Sequence, residues 1–379
     1  QLGARLRPSR LSRSRNYAQN PLGTNYHFYI SAWMDTHSIS VSLKTLAQGQ
    51  ALTSIQLDDA FSAILAGNVP PEQIGAFLMG LAVRGETGAE LLAGAKTLRA
   101  NARKIDLDGP TLDTCGTGGL GWTSLNTSTA SAIVIAASGG KVAKHGNRSV
   151  PPKTGSADVL EALGVELDLT EDRFRNCVDQ AGVGFLFARS HHSAMRHVAP
   201  VRASLGIRTI FNLLGPLSNP ASATHQVLGV NEARWLKPMA EALRDLGVTR
   251  AWVVHGADSD GTVIDELSIA GETQIVEVAD RRLTERVVTP EDAGLSRNRL
   301  SALAGGAPED NALAIRELLD GRPGPFRDAV VLNAAAGLHV LGRAETLKDG
   351  AAQASDAIDS GAAAQTLSTL AAASKGQAV

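Results

Sequence analysis

The stretch of this chain best suited to holding an anion is Asp113-Thr-Cys-Gly116-Thr117-Gly118-Gly119-Leu120-Gly121, followed by Thr123 and Asn126-Thr127-Ser128-Thr129. Four glycines in six residues, directly after an apolar run, let the backbone turn sharply and present N–H groups with no Cβ in the way. Asn126 to Thr129 bring hydroxyls and a capping residue to a predicted helix start, where free N–H groups and a partial positive charge suit phosphate. The pattern is neither G-x-G-x-x-G in its proper frame nor a G-x-x-x-x-G-K-[ST] loop. Taken alone, a plain strand-to-helix turn accounts for it equally well.

A second group follows the next predicted strand. Lys144-His145-Gly146-Asn147-Arg148-Ser149 places two cations, an imidazole and an amide where parallel sheets bind ligands. Lys153, Thr154, Gly155 and Ser156 then open another helix. Two phosphate-suited loops after consecutive strands weigh against an incidental basic loop. Asp265-Glu266 is a third feature. Adjacent carboxylates between strands are usually a solvated turn, but beside a phosphate site they suit magnesium, a hard cation that prefers oxygen. The fourth is His191-His192 with His197 and Arg202. No cysteine or carboxylate stands nearby at zinc-like spacing, so a structural or substrate-lining role is expected rather than metal binding.

The elements that must position these residues follow from periodicity. From Ser40 to Ala102 the pattern is helical: Ala60, Phe61, Ile64 and Leu65 share a face that stops at Gly67, and Pro70-Pro71 starts a second helix. Thr87 and Glu90 form a capping-box pair for a third, running to about Arg103. Beyond Asp106, short apolar runs alternate with helices. Strands are predicted at 111–115, 141–144, 184–187, 227–230, 251–254 and 274–278. Helices are predicted at 128–138, 157–163, 238–246 and 329–341, with an Ala-rich helical tail from Ala344. This implies an α/β fold: a small all-helical N-terminal domain (34–105) beside a larger domain (106–379) with a mostly parallel central sheet. The run 192–220 breaks the alternation and is expected to pack back on the first helices.

Bulk composition excludes several classes. Net charge is −2, so nothing draws the whole chain to nucleic acid or to a membrane surface. Two cysteines, Cys115 and Cys177, argue against a disulfide framework and fit a reducing cytoplasm. No apolar run approaches the ~18 residues of a membrane span. The first 33 residues differ in kind. They hold all three tyrosines, and Arg5, Arg7, Arg10, Arg13 and Arg15 with no acid before Asp35. They read as a leader or an appended extension, poorly ordered, with Met34 as the natural start.

Together these motifs resemble the anthranilate phosphoribosyltransferases, over about Leu43 to Ser374. The resemblance rests on Gly116-Thr-Gly-Gly119, Asn126-Thr-Ser-Thr129, Lys144-His-Gly-Asn-Arg148, Gly155-Ser-Ala-Asp-Val-Leu-Glu-Ala-Leu-Gly164, Phe185-Leu-Phe-Ala188, His191-His192, the segment from His197 through Arg202 to Pro220, and Asp265-Glu-Leu267. Each is weak alone; their joint order is specific. The resemblance implies a helical domain hinged to an α/β domain, and a homodimer formed through the helical domain. The implied substrates are 5-phosphoribosyl diphosphate (PRPP) and anthranilate. For PRPP it implies Gly116, Gly119, Asn126, Ser128, Thr129 and Lys144, with Thr117, Gly118, Thr123, Thr127, His145, Gly146, Asn147, Lys153 and Ser156 in the same site. For anthranilate it implies Gly116, His145, Asn147, Arg202 and Pro216, with Arg202 meeting the carboxylate. Ser128, Asp265 and Glu266 would hold magnesium, two ions per monomer.

No catalytic acid or base is implied. The aromatic amine is neutral and already nucleophilic, so positioning and charge stabilisation would carry catalysis. Two positions depart from the family: Leu120 stands where it usually has Asp, and Pro151-Pro152 where it often has two serines. Neither removes a residue the chemistry requires. The nearest rival is a pyrimidine-nucleoside phosphorylase of the same architecture, which would lack His145-Gly-Asn147 together with the segment from Arg202 to Pro220. A nucleic-acid-binding relative would need a long basic groove.

Overall fold

The computed structural model describes residues 39–149 and 154–377. The extension at 1–33 lies outside that range, as do Pro151, Pro152 and Lys153. The N-terminal helices are α1 (39–47), α2 (Ser54–Ala66), α3 (Pro71–Arg84) and α4 (Gly88–Ala100). Thr53 caps α2 and Thr87 caps α4, each reciprocated by the residue three on, Gln56 and Glu90. The third predicted helix stops at Ala100, three residues before Arg103.

The larger unit begins with β1 (Leu112–Gly116), α5 (Thr127–Ala137), β2 (Val142–Gly146), α6 (Ser156–Ala162), α7 (Glu171–Ala181) and β3 (Val183–Phe187). The excursion after β3 holds α8 (Ala188–His191), α9 (Ala199–Leu205) and α10 (Ile210–Leu217). The chain then makes β4 (His225–Gly229), α11 (Leu236–Asp245), β5 (Arg250–Ala257), β6 (Val263–Ile264), β7 (Thr273–Ala279) and β8 (Arg282–Val288). It closes with α12 (Pro308–Leu319), α13 (Pro325–Val340), α14 (Leu347–Asp359) and α15 (Ala362–Ser374).

Strand order is β3-β2-β1-β4-β5-β7-β8, with β6 on β5. Every pair from β3 to β5 is parallel, while β7, β8 and β6 join antiparallel. The sheet is mostly parallel, as expected, and carries an antiparallel edge. The chain builds β1, β2 and β3 in one direction and places β4 on the other side of β1. The loops after β1 and β4 therefore diverge, and such a switch point is where open α/β sheets bind ligands.

The excursion after β3 packs against the helical bundle. The Phe211 ring of α10 stands 6.3 Å from Phe61 of α2, which meets Phe77 of α3 edge-on at 5.7 Å. Gly94 of α4 leaves room for Leu214, whose Cδ1 would lie 2.7 Å from an added Cβ. One apolar cluster runs from these helices through Met239 of α11 onto Leu228, Val253 and Val276 of the sheet. The opposite face is covered by α5, α7 and α13, with α15 packed outside α5 and α7, through Ile133, Val178, Leu338 and Leu370. The bundle and the sheet thus share a core, and the cleft opens at the strand ends beside it.

Candidate active site

Glycines end β1, β2 and β4, and each has a reason. A Cβ on Gly116 would stand 2.1 Å from Asp265 Oδ2, and one on Gly229 would stand 1.6 Å from the Asp265 carbonyl oxygen. The Asp265 peptide therefore lies directly on the strand ends, and only glycine permits that approach. From there the Asp265 carboxylate accepts from the Gly118 N–H at 2.7 Å, and Glu266 Oε1 accepts from the Ser128 N–H at 2.8 Å. The pair arrives on the β6–β7 connection, far away in sequence, and secures both the glycine loop and the start of α5.

Glu266 is buried. Desolvation first, then the neighbouring Asp265, push its carboxyl up to about 8. Its Oε2 has no hydrogen-bond partner, although the Thr127 hydroxyl lies near enough to ease its charge. Lys144, 3% exposed, donates to Ser128 Oγ at 3.2 Å and to the Thr114 carbonyl. Burial lowers its pKa, while Asp113, Cys115 and Glu266 pull it back up. Asp113, wholly buried beneath them, accepts from the His145 N–H at 3.1 Å.

The far wall comes from the excursion. His145 meets His192 edge-on at 5.2 Å, and its Nε2 is buried without a partner. Burial, then His192 and His191, hold His145 well below its ordinary pKa; burial takes His192 down to about 4. Both rings are therefore neutral at pH 7. His191 is tied to the Arg103 carbonyl at 2.8 Å, and His197 packs over Gly67. Among the described residues no three His, Cys, Asp or Glu gather as a metal cluster. The Arg202 guanidinium lies 5.8 Å from the Phe211 ring centre, and its buried Nε has no partner.

A cavity of about 450 Å³ joins these walls. Of the residues singled out in the sequence, it gathers Gly116, Thr117, Gly118, Gly119, Thr123, Asn126, Ser128, Thr129, Lys144, His145, Gly146, Asn147, Ser156, Arg202, Pro216, Asp265 and Glu266. Thr127, His191, His192 and His197 are not in its lining. Thr127 is fully buried as the first residue of α5, with its N–H given to the Leu125 carbonyl, so it supports the wall from behind. Asn126 does not cap α5 with its side chain. It bridges Thr154, whose carbonyl it meets at 3.1 Å, and Asn311 at 2.9 Å. Leu120 borders the cavity and packs into the core at 6% exposure, so this position offers no acceptor. Lys153 lies outside the described residues. Sequence reasoning passed over Arg208, which lines the cavity and donates to the Thr117 carbonyl at 3.2 Å. Its only signal was its place in the Leu205–Pro220 segment.

Residues 108–364 match the family described as "Glycosyl transferase family, a/b domain", and residues 41–102 match "Glycosyl transferase family, helical bundle domain". An anthranilate phosphoribosyltransferase of Hyphomonas neptunium is 60% identical over 337 residues, covering 89% of this chain and 98% of its own. The crystal structure of anthranilate phosphoribosyltransferase from Thermus thermophilus superposes with a TM-score of 0.82 at 46% identity, covering 88% of this chain and 99% of that one. The Saccharomyces cerevisiae enzyme in complex with PRPP and Mg gives 0.81 at 26% identity, covering 90% and 98%. The same yeast enzyme has also been solved with 4-fluoroanthranilate.

Proposed function

The chain belongs to the anthranilate phosphoribosyltransferases, and from that premise we propose how its cleft divides the work. The reaction moves the 5-phosphoribosyl group of PRPP onto the amine of anthranilate, giving N-(5-phosphoribosyl)anthranilate and diphosphate in tryptophan biosynthesis. One observation carries the division. A single cavity has a glycine loop with paired carboxylates on one wall and an unpartnered guanidinium Nε beside an aromatic ring on the other.

Gly116 to Gly119, Asn126, Ser128, Thr129 and Lys144 take PRPP in this reading, with Thr123 and Gly146 to Asn147 beside them and Ser156 at the foot of α6. The loop's Cβ-free surface lets a diphosphate approach the backbone. Arg202 meets the anthranilate carboxylate, which suits a half-buried cation with an orphaned Nε. His145, Asn147, Gly116 and Pro216 line the path between. A neutral amine needs no strong base, and the neutral imidazole of His145 supplies no competing charge. Holding amine and ribose in line is the main contribution of this chain.

Magnesium fits the carboxylate end. Asp265 and Glu266 are oxygen ligands, Glu266 has an orphaned buried Oε2, and burial and then the Asp265 charge raise its pKa, a cost that a bound cation would relieve. Ser128 Oγ completes the protein's share for two ions per monomer. Bound there, the metal neutralises charge gathering on the diphosphate.

The reading includes a homodimer through the helical domain. Met79 and Val83, one turn apart on α3, are 45% and 75% exposed, and Val41 on the adjoining α1 is 52% exposed. A cytoplasmic setting is supported by two cysteines left as free thiols. Among the described residues no helix is long and apolar enough to cross a membrane. The decisive experiment follows anthranilate fluorescence with PRPP across a magnesium titration. Consumption saturating in all three components is expected, and no turnover at any magnesium level would overturn the assignment of substrates.

A further inference from the structure

Arg208 has a placement that the division above does not use. It leaves the chain just before α10, on the excursion that packs against the helical bundle, and reaches across to the loop after β1. Its Nη2 donates to the Thr117 carbonyl at 3.2 Å. Its guanidinium lies flat on Gly119: an added Cβ there would stand 1.7 Å from Nη1, 2.4 Å from Cζ and 3.0 Å from Nε. Gly119 also has φ +85°, a left-handed conformation in which side chains are strained. Glycine at 119 is thus required twice, once by the turn and once by the cation resting on it.

The charges around this guanidinium are uneven. Burial pulls its pKa down, while Asp265, then Glu232 and Glu86, favour its charge. Arg202, its neighbour on the same excursion, is repelled by it. The two cations therefore face one cavity from adjacent turns of chain, yet they lean to different ends. Arg202 lies over Phe211, on the helical side. Arg208 lies on the glycine loop, on the side of Asp265 and Glu266. A single carboxylate could neutralise only one of them. Two anions, one at each end, relieve the repulsion.

We propose that Arg208 is an anion-binding residue for the diphosphate of PRPP, latching the helical side of the cleft to the glycine loop. This rests on the reading of the two substrates given above. Before diphosphate arrives, the guanidinium makes one backbone hydrogen bond, to an uncharged carbonyl. A phosphate oxygen is a stronger acceptor, and a guanidinium can meet it with two parallel N–H bonds. The move is short because the loop under the guanidinium is the loop that carries the diphosphate. Occupation of one site then ties the excursion bearing Arg202 to the α/β side, so PRPP prepares the place for anthranilate.

The test compares Arg208→Gln and Arg208→Lys with the unaltered enzyme. Steady-state kinetics give both KM values, and calorimetry gives diphosphate binding in the presence of magnesium. Loss of a charge-assisted pair predicts a rise on the order of tenfold or more in the PRPP KM and the diphosphate Kd for Arg208→Gln. Arg208→Lys should fall between, since it keeps the charge and loses the fork. The anthranilate KM at saturating PRPP should move less than about twofold. A rise confined to anthranilate would overturn the proposal, as would unchanged diphosphate binding. Equal rises in both KM values with a lowered Tm, and no rescue by lysine, would reduce Arg208 to a structural role and overturn it too. Calorimetry needs no turnover. Failure of the unaltered enzyme to consume anthranilate would count against the substrate reading, and unchanged diphosphate affinity in Arg208→Gln against this one.

Discussion

Replacing Gly229 with alanine tests the whole construction of the cleft with one methyl group. Gly229 ends β4, and its added Cβ would stand 1.6 Å from the Asp265 carbonyl oxygen and 2.2 Å from the carbonyl carbon. Both neighbours are backbone, so no flexible side chain can swing away. Reaching an ordinary separation of about 3.4 Å means parting strand and peptide by about 1.8 Å. The hydrogen bonds from Gly118 N–H to Asp265 and from Ser128 N–H to Glu266, at 2.7 and 2.8 Å, cannot both survive such a shift. Overpacking costs about 1–3 kcal/mol, and a hydrogen bond to a charged group about 1.5–3 kcal/mol. A total of about 3–5 kcal/mol follows, a fall in Tm on the order of 10 °C. Carboxylates displaced by more than an ångström should also cost roughly 100-fold in kcat/KM and raise the magnesium concentration for half-maximal rate. Thermal denaturation and a magnesium titration of turnover measure both. Gly109→Ala is the control: Gly109 has φ +74° but nothing within 4 Å of an added Cβ, so only modest strain of about 1–2 kcal/mol is expected. A Gly229→Ala enzyme with unaltered Tm and magnesium dependence would refute the claim that this backbone contact positions the carboxylates.

Further expectations concern charge, core and assembly. Arg202→Ala should raise the anthranilate KM by roughly 10–100-fold and the PRPP KM far less; the reverse pattern in two-substrate kinetics would reverse the placement of the substrates. Glu266 titrates near 8 in the folded chain against an ordinary 4.5, so the folded state holds a proton that the unfolded chain releases. Stability in metal-free buffer should therefore fall as pH rises from about 4.5 through 8. The Tm of Glu266→Gln minus that of the unaltered chain, measured in EDTA, should widen from pH 6 to pH 9, and a flat difference contradicts the raised pKa. Phe61→Ala removes a ring that meets both Phe77 and Phe211 and should cost about 3–5 kcal/mol, read by denaturant titration. Val83→Asp, on the exposed face of α3, should convert a dimer into monomers in sedimentation equilibrium, and an unaltered chain that is monomeric at micromolar concentration would refute the interface.

The sequence revealed the parallel part of the fold because its short strand-like segments, most of them ending at or near glycine, alternate with amphipathic or Ala-rich helices. It did not reveal β8, whose Arg282-Leu-Thr-Glu-Arg-Val-Val288 is mostly exposed and charged at the sheet's edge, so burial left no imprint on its composition. Nor did it reveal β6, two residues long. At the site, the glycine loop and Lys144 were legible because chemistry requires those residue types there. The partner of the Ser128 N–H was not, since it is a carboxylate 138 positions away. Asn126 illustrates the limit: its type suits a helix cap, but tertiary contacts to Thr154 and Asn311 claim its side chain instead. Arg208 looked like any arginine between Ile207 and Thr209. Its hydrogen bond to the Thr117 carbonyl and the missing Cβ on Gly119 appear only in the fold.

The shared core of the bundle and the excursion also has a consequence in time. Helices α2 and α4 emerge early from the ribosome, but Phe61 and Gly94 await Phe211 and Leu214 of α10, 150 and 120 residues later. At about 5–20 residues per second, synthesis leaves that apolar face without its partner for roughly 6–30 s. The first helices of this chain thus wait for its middle to emerge, and a nascent chain halted near residue 105 would carry an uncovered surface suited to chaperones rather than a finished domain.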